Sequence, residues 1–160
     1  MKMTAVLGDA SASLVLHVVE MLLVLAYLIF VLGISFGNQI GYVLLTCLVG
    51  SVTGISFGTF MGCLFQKRDG LKTALLIAVT LFLCFLSGLM MVDIRTYINL
   101  YAPVLSYINP AALITDAFYC LYVFESHTRY FLNISILCGI SALFCLGSYL
   151  LVRRQKYASI

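Results

Sequence analysis

No charged residue occurs between Glu20 and Lys67. An α-helix rises about 1.5 Å per residue and the hydrocarbon core of a bilayer is about 30 Å thick, so one crossing takes about 20 apolar residues. The uncharged run 21–66 is therefore long enough for two crossings joined by a tight turn, and Gly37-Asn38-Gln39 supplies the turn. Composition points the same way: 63% of residues are hydrophobic and 9% charged, against about a quarter charged in ordinary soluble domains. A soluble enzyme, a disordered chain and a nucleic-acid binder are excluded, whatever the formal net charge of +3 suggests. The predicted fold class is all-α, a polytopic transmembrane helical bundle forming a single domain over residues 1–160.

Two further uncharged runs, Thr73–Val92 and Tyr130–Val152, bring the expected spans to four, near 14–35, 41–65, 73–92 and 130–152. The stretch 96–115 is also uncharged and is a candidate fifth. It contains Pro103, Asn109 and Pro110, however, which make it a poor continuous helix. Charge distribution decides between the two counts, because cytoplasmic loops are enriched in Lys and Arg. The basic clusters are Lys67-Arg68-Asp69-Gly70-Leu71-Lys72 and Arg153-Arg154-Gln155-Lys156. Four spans place both clusters and the N-terminus on the cytoplasmic side, whereas five would put the basic tail 153–160 outside. Residues of about 97–124 then form an outer hairpin that dips into the membrane and returns. Within it Asn109-Pro110 reads as a helix start, with Asn capping the first free amides and Pro occupying the first helical position. Irregular backbone at membrane depth has to be covered by protein or to line water, so this hairpin is expected to pack on the bundle or border an aqueous cavity. Lys2 is the sole positive charge before the first apolar run and no small-residue cleavage site follows, so that run reads as a span rather than a leader.

The second span carries Gly50, Gly54, Gly58 and Gly62 at a strict spacing of four, preceded by Gly33, Gly37 and Gly41. Glycines so spaced line one helix face and admit another backbone. The stripe is either the contact of an intramolecular helix pair, or a subunit interface along which helices rearrange. His17 and Glu20 share a face of the first span, and an intramembrane carboxylate is a functional candidate by default. A proton-coupling role competes with simple access to interfacial water. Asp116 either pairs with Arg95 or Arg129 inside the hairpin or faces a substrate path. Asn109-Pro110-Ala111 spells a water-channel tripeptide, but one copy is present where two are required. Asn133-Ile134-Ser135 matches a glycosylation triplet but begins a span. Cys47, Cys63, Cys84, Cys120, Cys138 and Cys145 show no CxxC spacing and read as small apolar packing residues, so no metal site is expected. There is no Gly-Lys dipeptide and hence no phosphate-binding loop of the GxxxxGK type. No catalytic or cofactor-binding residue is expected, and any ATP would be bound by another chain.

The order of motifs is informative beyond each motif alone. A basic loop precedes a span ending in Phe85-Leu86-Ser87-Gly88-Leu89-Met90. An outer stretch, Pro103-Val104-Leu105-Ser106-Tyr107-Ile108-Asn109-Pro110, leads into Ile114-Thr115-Asp116-Ala117-Phe118-Tyr119, a last span and an Arg-Arg tail. This order resembles the C-terminal part of the permease subunit of type-2 ABC exporters, over roughly residues 55–160, with the first span related by topology. Such permeases have six spans, of which four are found here, matching the last four. The resemblance thus implies a fragment, a truncated product or a divergent short member. It further implies an ATPase partner, a second permease subunit, a lipid, peptide or drug-like substrate moved outward, and a multi-pass location in the cell membrane. Lys67, Arg68 and Asp69 would lie in a cytoplasmic loop toward the ATPase. Residues 1–12 would follow or include part of the main coupling element, and Pro103, Asn109, Pro110 and Asp116 would belong to the cap over the outer end of the pathway. Two other readings stay open: a stand-alone proton-coupled exporter using Glu20, and a non-transporting membrane scaffold or immunity protein.

Overall fold

The computed structural model describes residues 2–34, 39–64, 69–122 and 127–157, with the side chains of 2–7, 69 and 154–157 outside the description. Seven helices and no strand occur among the described residues. They are α1 (Lys2–Phe30), α2 (Ile40–Leu64), α3 (Asp69–Leu86), α4 (Val92–Tyr101), α5 (Pro103–Ile108), α6 (Pro110–Tyr122) and α7 (His127–Tyr157). The expected Lys67-Arg68 loop lies outside the described residues, and Asp69 opens α3.

Among the described residues, three segments are long and apolar enough to cross a membrane: Gly8–Phe30, Ile40–Leu64 and His127–Arg153. The first differs from the expected 14–35 at both ends. It ends early because Gly33 adopts a left-handed conformation, φ +65°, with the Ile34 amide donating back to the Leu28 carbonyl at 3.0 Å. The span expected at 73–92 is shorter than anticipated, its apolar helix running only over Gly70–Leu86. Gly88 is the cause. At φ +83° it closes a Schellman turn in which the Gly88 amide donates to the Phe85 carbonyl (3.2 Å) and the Leu89 amide to the Cys84 carbonyl (3.3 Å). Ser87, almost wholly buried, adds a bond from its hydroxyl to the Cys84 carbonyl at 2.7 Å.

The stretch considered as a fifth span is divided instead. Ala102 separates α4 from α5, where Pro103 takes the first helical position, and Asn109 separates α5 from α6. Asn109 Oδ1 accepts the amides of Ala111 (3.0 Å) and Ala112 (3.4 Å), while its Nδ2 donates to the Leu83 carbonyl at 2.8 Å. One buried side chain thus caps α6 and ties it to the end of α3.

The bundle is polar inside and apolar outside. Thr46, Thr53, Ser56, Ser141 and Ser148 are buried, whereas Leu16, Phe30, Leu132 and Leu143 are exposed. Exposed large apolar surface on this scale marks a face made for something other than water, and within hydrocarbon such side chains are at home. The buried hydroxyls satisfy themselves on their own helix: Thr46, Thr53, Ser56 and Ser148 each donate to the carbonyl four residues back, at 2.7–2.9 Å. They also form the seam between α2 and α7, with Ser56 Oγ 3.3 Å from Ser141 Oγ and 3.2 Å from Cys145 Sγ. At one end of that seam the Tyr130 hydroxyl donates to the Tyr42 carbonyl at 2.9 Å. At the other, Gly147 lets Phe60 approach so closely that any Cβ there would sit 2.8 Å from the ring. Leu25, Val43, Ala117, Cys120, Leu121, Tyr130 and Ile134 complete a core shared by α1, α2, α6 and α7.

The glycine stripe is not what joins α2 to α7. A Cβ at Gly54 or Gly58 meets nothing within 4 Å, and one at Gly50 or Gly62 meets only the side chains of Ile114 or Lys72. The seam between α2 and α7 is carried by hydroxyls and Gly147 instead. The stripe borders two grooves beside α1: one of about 490 Å³ includes Gly50, the other, about 580 Å³, includes Gly58 and Gly62.

Candidate functional site

Arg95 and Arg129, 34 residues apart in sequence, converge on one carboxylate. Asp116 lies on α6 and is buried. Arg95 reaches it from α4, its Nη2 donating to Asp116 Oδ1. Arg129, at the start of α7, donates from Nε to Oδ2 at 2.9 Å and from Nη2 to Oδ1 at 3.0 Å. One turn further along α7, Asn133 Nδ2 donates to Oδ2 at 2.7 Å. The Cys120 thiol, one turn along α6, lies 3.9 Å from Oδ2. The Arg95 guanidinium also sits over the Tyr119 ring, 4.3 Å from its centroid, a cation–π contact that is stronger away from water. A buried carboxylate is tolerated when paired and hydrogen-bonded throughout, and Asp116 meets both conditions. Both alternatives for its partner are realised, since Arg95 and Arg129 bind it together.

Gly88 makes the cluster possible from a distance. A Cβ at that position would come within 2.7 Å of Arg95 Cβ, so α4 can turn back onto the end of α3 only where the side chain is missing. The cluster forms one wall of a cavity of about 290 Å³, lined also by Ser87, Asn99, Pro103, Ser106 and Tyr107. Pro103, Asn109, Pro110 and Asp116 therefore belong to one corner of the molecule, with Asn109 acting at the backbone.

His17 and Glu20 stand apart from this corner. His17 Nδ1 lies 3.5 Å from Glu20 Oε2, with side chains 55% and 72% exposed, so the pair faces outward from the chain. It flanks the groove that Gly50, Thr46 and Cys47 line from α2. At the far end of the bundle from Asp116, Asp9 and Lys72 line the second groove.

Sequence reasoning did not assign Asn133 to the Asp116 cluster, although it stands four residues after Arg129 and so shares its helix face. The hydroxyl seam of α2 also went unread, although Thr46, Thr53 and Ser56 follow a helical spacing beside the more conspicuous glycines. Nothing in the spacing of Arg95 foretells that Tyr119 lies beneath it.

Among known protein families, the model described as "ABC-2 family transporter protein" matches residues 4–150. It takes in α1, which the sequence motifs reach by topology alone. None of the curated proteins and none of the solved structures matches the chain.

Proposed function

The chain belongs to the ABC-2 transporter family as a membrane subunit, and from that premise we propose that it is one permease of an exporter driven by a separate ATPase. The observation that carries this reading is the family match along 4–150. The permease pairs with a second copy or a related chain, and the ATPase docks on the segment containing Lys67, Arg68 and Asp69. Its hydrolysis of ATP shifts the pair between inward- and outward-facing states by binding the two states unequally. The substrate is an unidentified lipid, peptide or drug-like molecule, and the membrane is the cell membrane.

We assign four crossings, with α3 as the third. Its 18 residues span about 27 Å at about 1.5 Å per residue, a small mismatch that local thinning of the bilayer accommodates. Both termini are then cytoplasmic, and α4–α6 form the re-entrant outer hairpin, with the Asp116 cluster as its fastening. The open Cβ positions at Gly54 and Gly58 support a role for the stripe in contacts beyond the single chain. The exposed His17–Glu20 pair supports the same view, since an ionisable pair facing hydrocarbon is expensive and a second subunit relieves it.

The experiment is purification from native membranes in a gentle detergent, with mass spectrometry of the bound chains. A stoichiometric nucleotide-binding ATPase is the expected companion. A homo-oligomer free of any ATPase would overturn the proposal and turn attention to Glu20, whose replacement by Gln would then abolish transport driven by a pH gradient.

A further inference from the structure

We propose that the cavity beside Arg95 binds the oxyanion of a phosphate group. The inference stands apart from the exporter reading, because it requires binding alone and neither flux nor an ATPase.

Donor and acceptor accounting leads to it. Asp116 Oδ1 accepts from Arg95 Nη2 and Arg129 Nη2, and Oδ2 accepts from Arg129 Nε and Asn133 Nδ2. The carboxylate is thereby filled, and most of its bonds go to α7. Arg95 gives it one N–H of the five that a guanidinium carries. Arg95 Nη1 is buried with no hydrogen-bond acceptor among the described residues. Asn99 Oδ1, on the same wall, accepts the Ser106 hydroxyl at 2.8 Å. Tyr107 also lines the cavity, and a phenol hydroxyl is able to donate. A cavity wall with a buried guanidinium N–H that lacks an acceptor, beside a carboxylate already filled, favours an anion. Arginine favours oxyanions in particular, since its planar fork matches two oxygens of a phosphate at once.

Size and place narrow the ligand further. About 290 Å³ is at the lower limit for small-molecule sites, room for a headgroup or a free anion and not for a whole drug-sized molecule. Tyr97, Tyr101, Tyr107, Tyr119 and Tyr122 surround this corner in sequence, and tyrosines concentrate at the level of lipid headgroups. The phosphate therefore comes either from an anionic lipid or from solution, and the test separates the two.

The full chain is reconstituted in phosphatidylcholine nanodiscs and its thermal stability followed, first with inorganic phosphate added and then with phosphatidylglycerol in the disc at fixed ionic strength. Stabilisation by phosphate alone identifies a soluble anion, and stabilisation by phosphatidylglycerol alone a lipid headgroup; either supports the site. Arg95→Gln is expected to weaken the effect at least tenfold in midpoint concentration. Tyr107→Phe, which leaves every Asp116 contact in place, is expected to weaken it about threefold, and it decides the matter if Arg95→Gln does not fold. Arg153→Gln, remote from the cavity, is expected to change nothing. No stabilisation by either phosphate source, or stabilisation equal in wild type and both cavity variants, would overturn the proposal.

Discussion

Asp116 collects donors from α4 and α7 onto α6, so the consequence of removing it is predictable from its partners. Asp116→Ala leaves two guanidiniums facing each other across a cavity, and loss of one member of a buried ionic network is strongly destabilising. The expected loss is about 3 kcal/mol, read as a lower unfolding midpoint in detergent, and Asp116→Asn is expected to lose less because its amide oxygen still accepts. Equal stability of wild type and Asp116→Ala would show that the cluster is not a fastening. Gly88 works by what it lacks. Gly88→Ala has to hold a left-handed backbone, at about 1–2 kcal/mol, and drives its methyl against Arg95 Cβ. It should therefore mimic a mild Arg95 defect, whereas an unchanged midpoint would deny the link. At this scale the sequence was partly legible. Asn109-Pro110 announces a capped helix because capping is local chemistry, and Asp116 is conspicuous because carboxylates are rare here. Asn133 and Tyr119 are not, because their roles depend on where a different helix comes to lie.

At the scale of the helix, α2 offers an internal control. Gly147 on α7 faces Phe60 with no room for a Cβ, while Gly54 on α2 faces open space. Gly147→Leu is expected to destabilise the folded chain itself, by about 1–3 kcal/mol of overpacking. Gly54→Leu is expected to leave the isolated fold intact and even to favour the helix, since Leu is the better helix former. If Gly54→Leu nevertheless abolishes detergent-resistant assembly, the stripe contacts a second subunit. Assembly unchanged in Gly54→Leu would withdraw the stripe from that role. The existence and order of the long helices could be read from hydropathy, because lipid allows few alternatives to a helix. Their ends could not. The ends of α1 and α3 are set by positive φ at Gly33 and Gly88, and the sequence contains many glycines that do no such thing.

For the molecule as a whole, the four-span topology makes a two-point prediction. With the native cysteines removed, Arg68→Cys is expected to react with a membrane-impermeant thiol reagent only from the cytoplasmic side, and Ser106→Cys only from the outer side. Reaction of both from one side would sink the arrangement. The membrane class was legible in composition alone, since nothing else explains an uncharged run from 21 to 66. The packing order was not, because apolar helices in lipid are told apart by small and hydroxylated residues rather than by hydrophobicity.

Asn109 caps α6 and Asp116 stands about two turns further along it, the first bonded to the Leu83 carbonyl at the end of α3 and the second to Arg129 and Asn133 on α7. In mechanical terms α6 is a crossbar bolted at its start and at its middle. It ties two posts, α3 and α7, to each other through a single short element. α2 is keyed into α7 along its hydroxyl seam, and α1 joins this frame through the apolar packing around Leu25, so a load placed on one post is carried to the others.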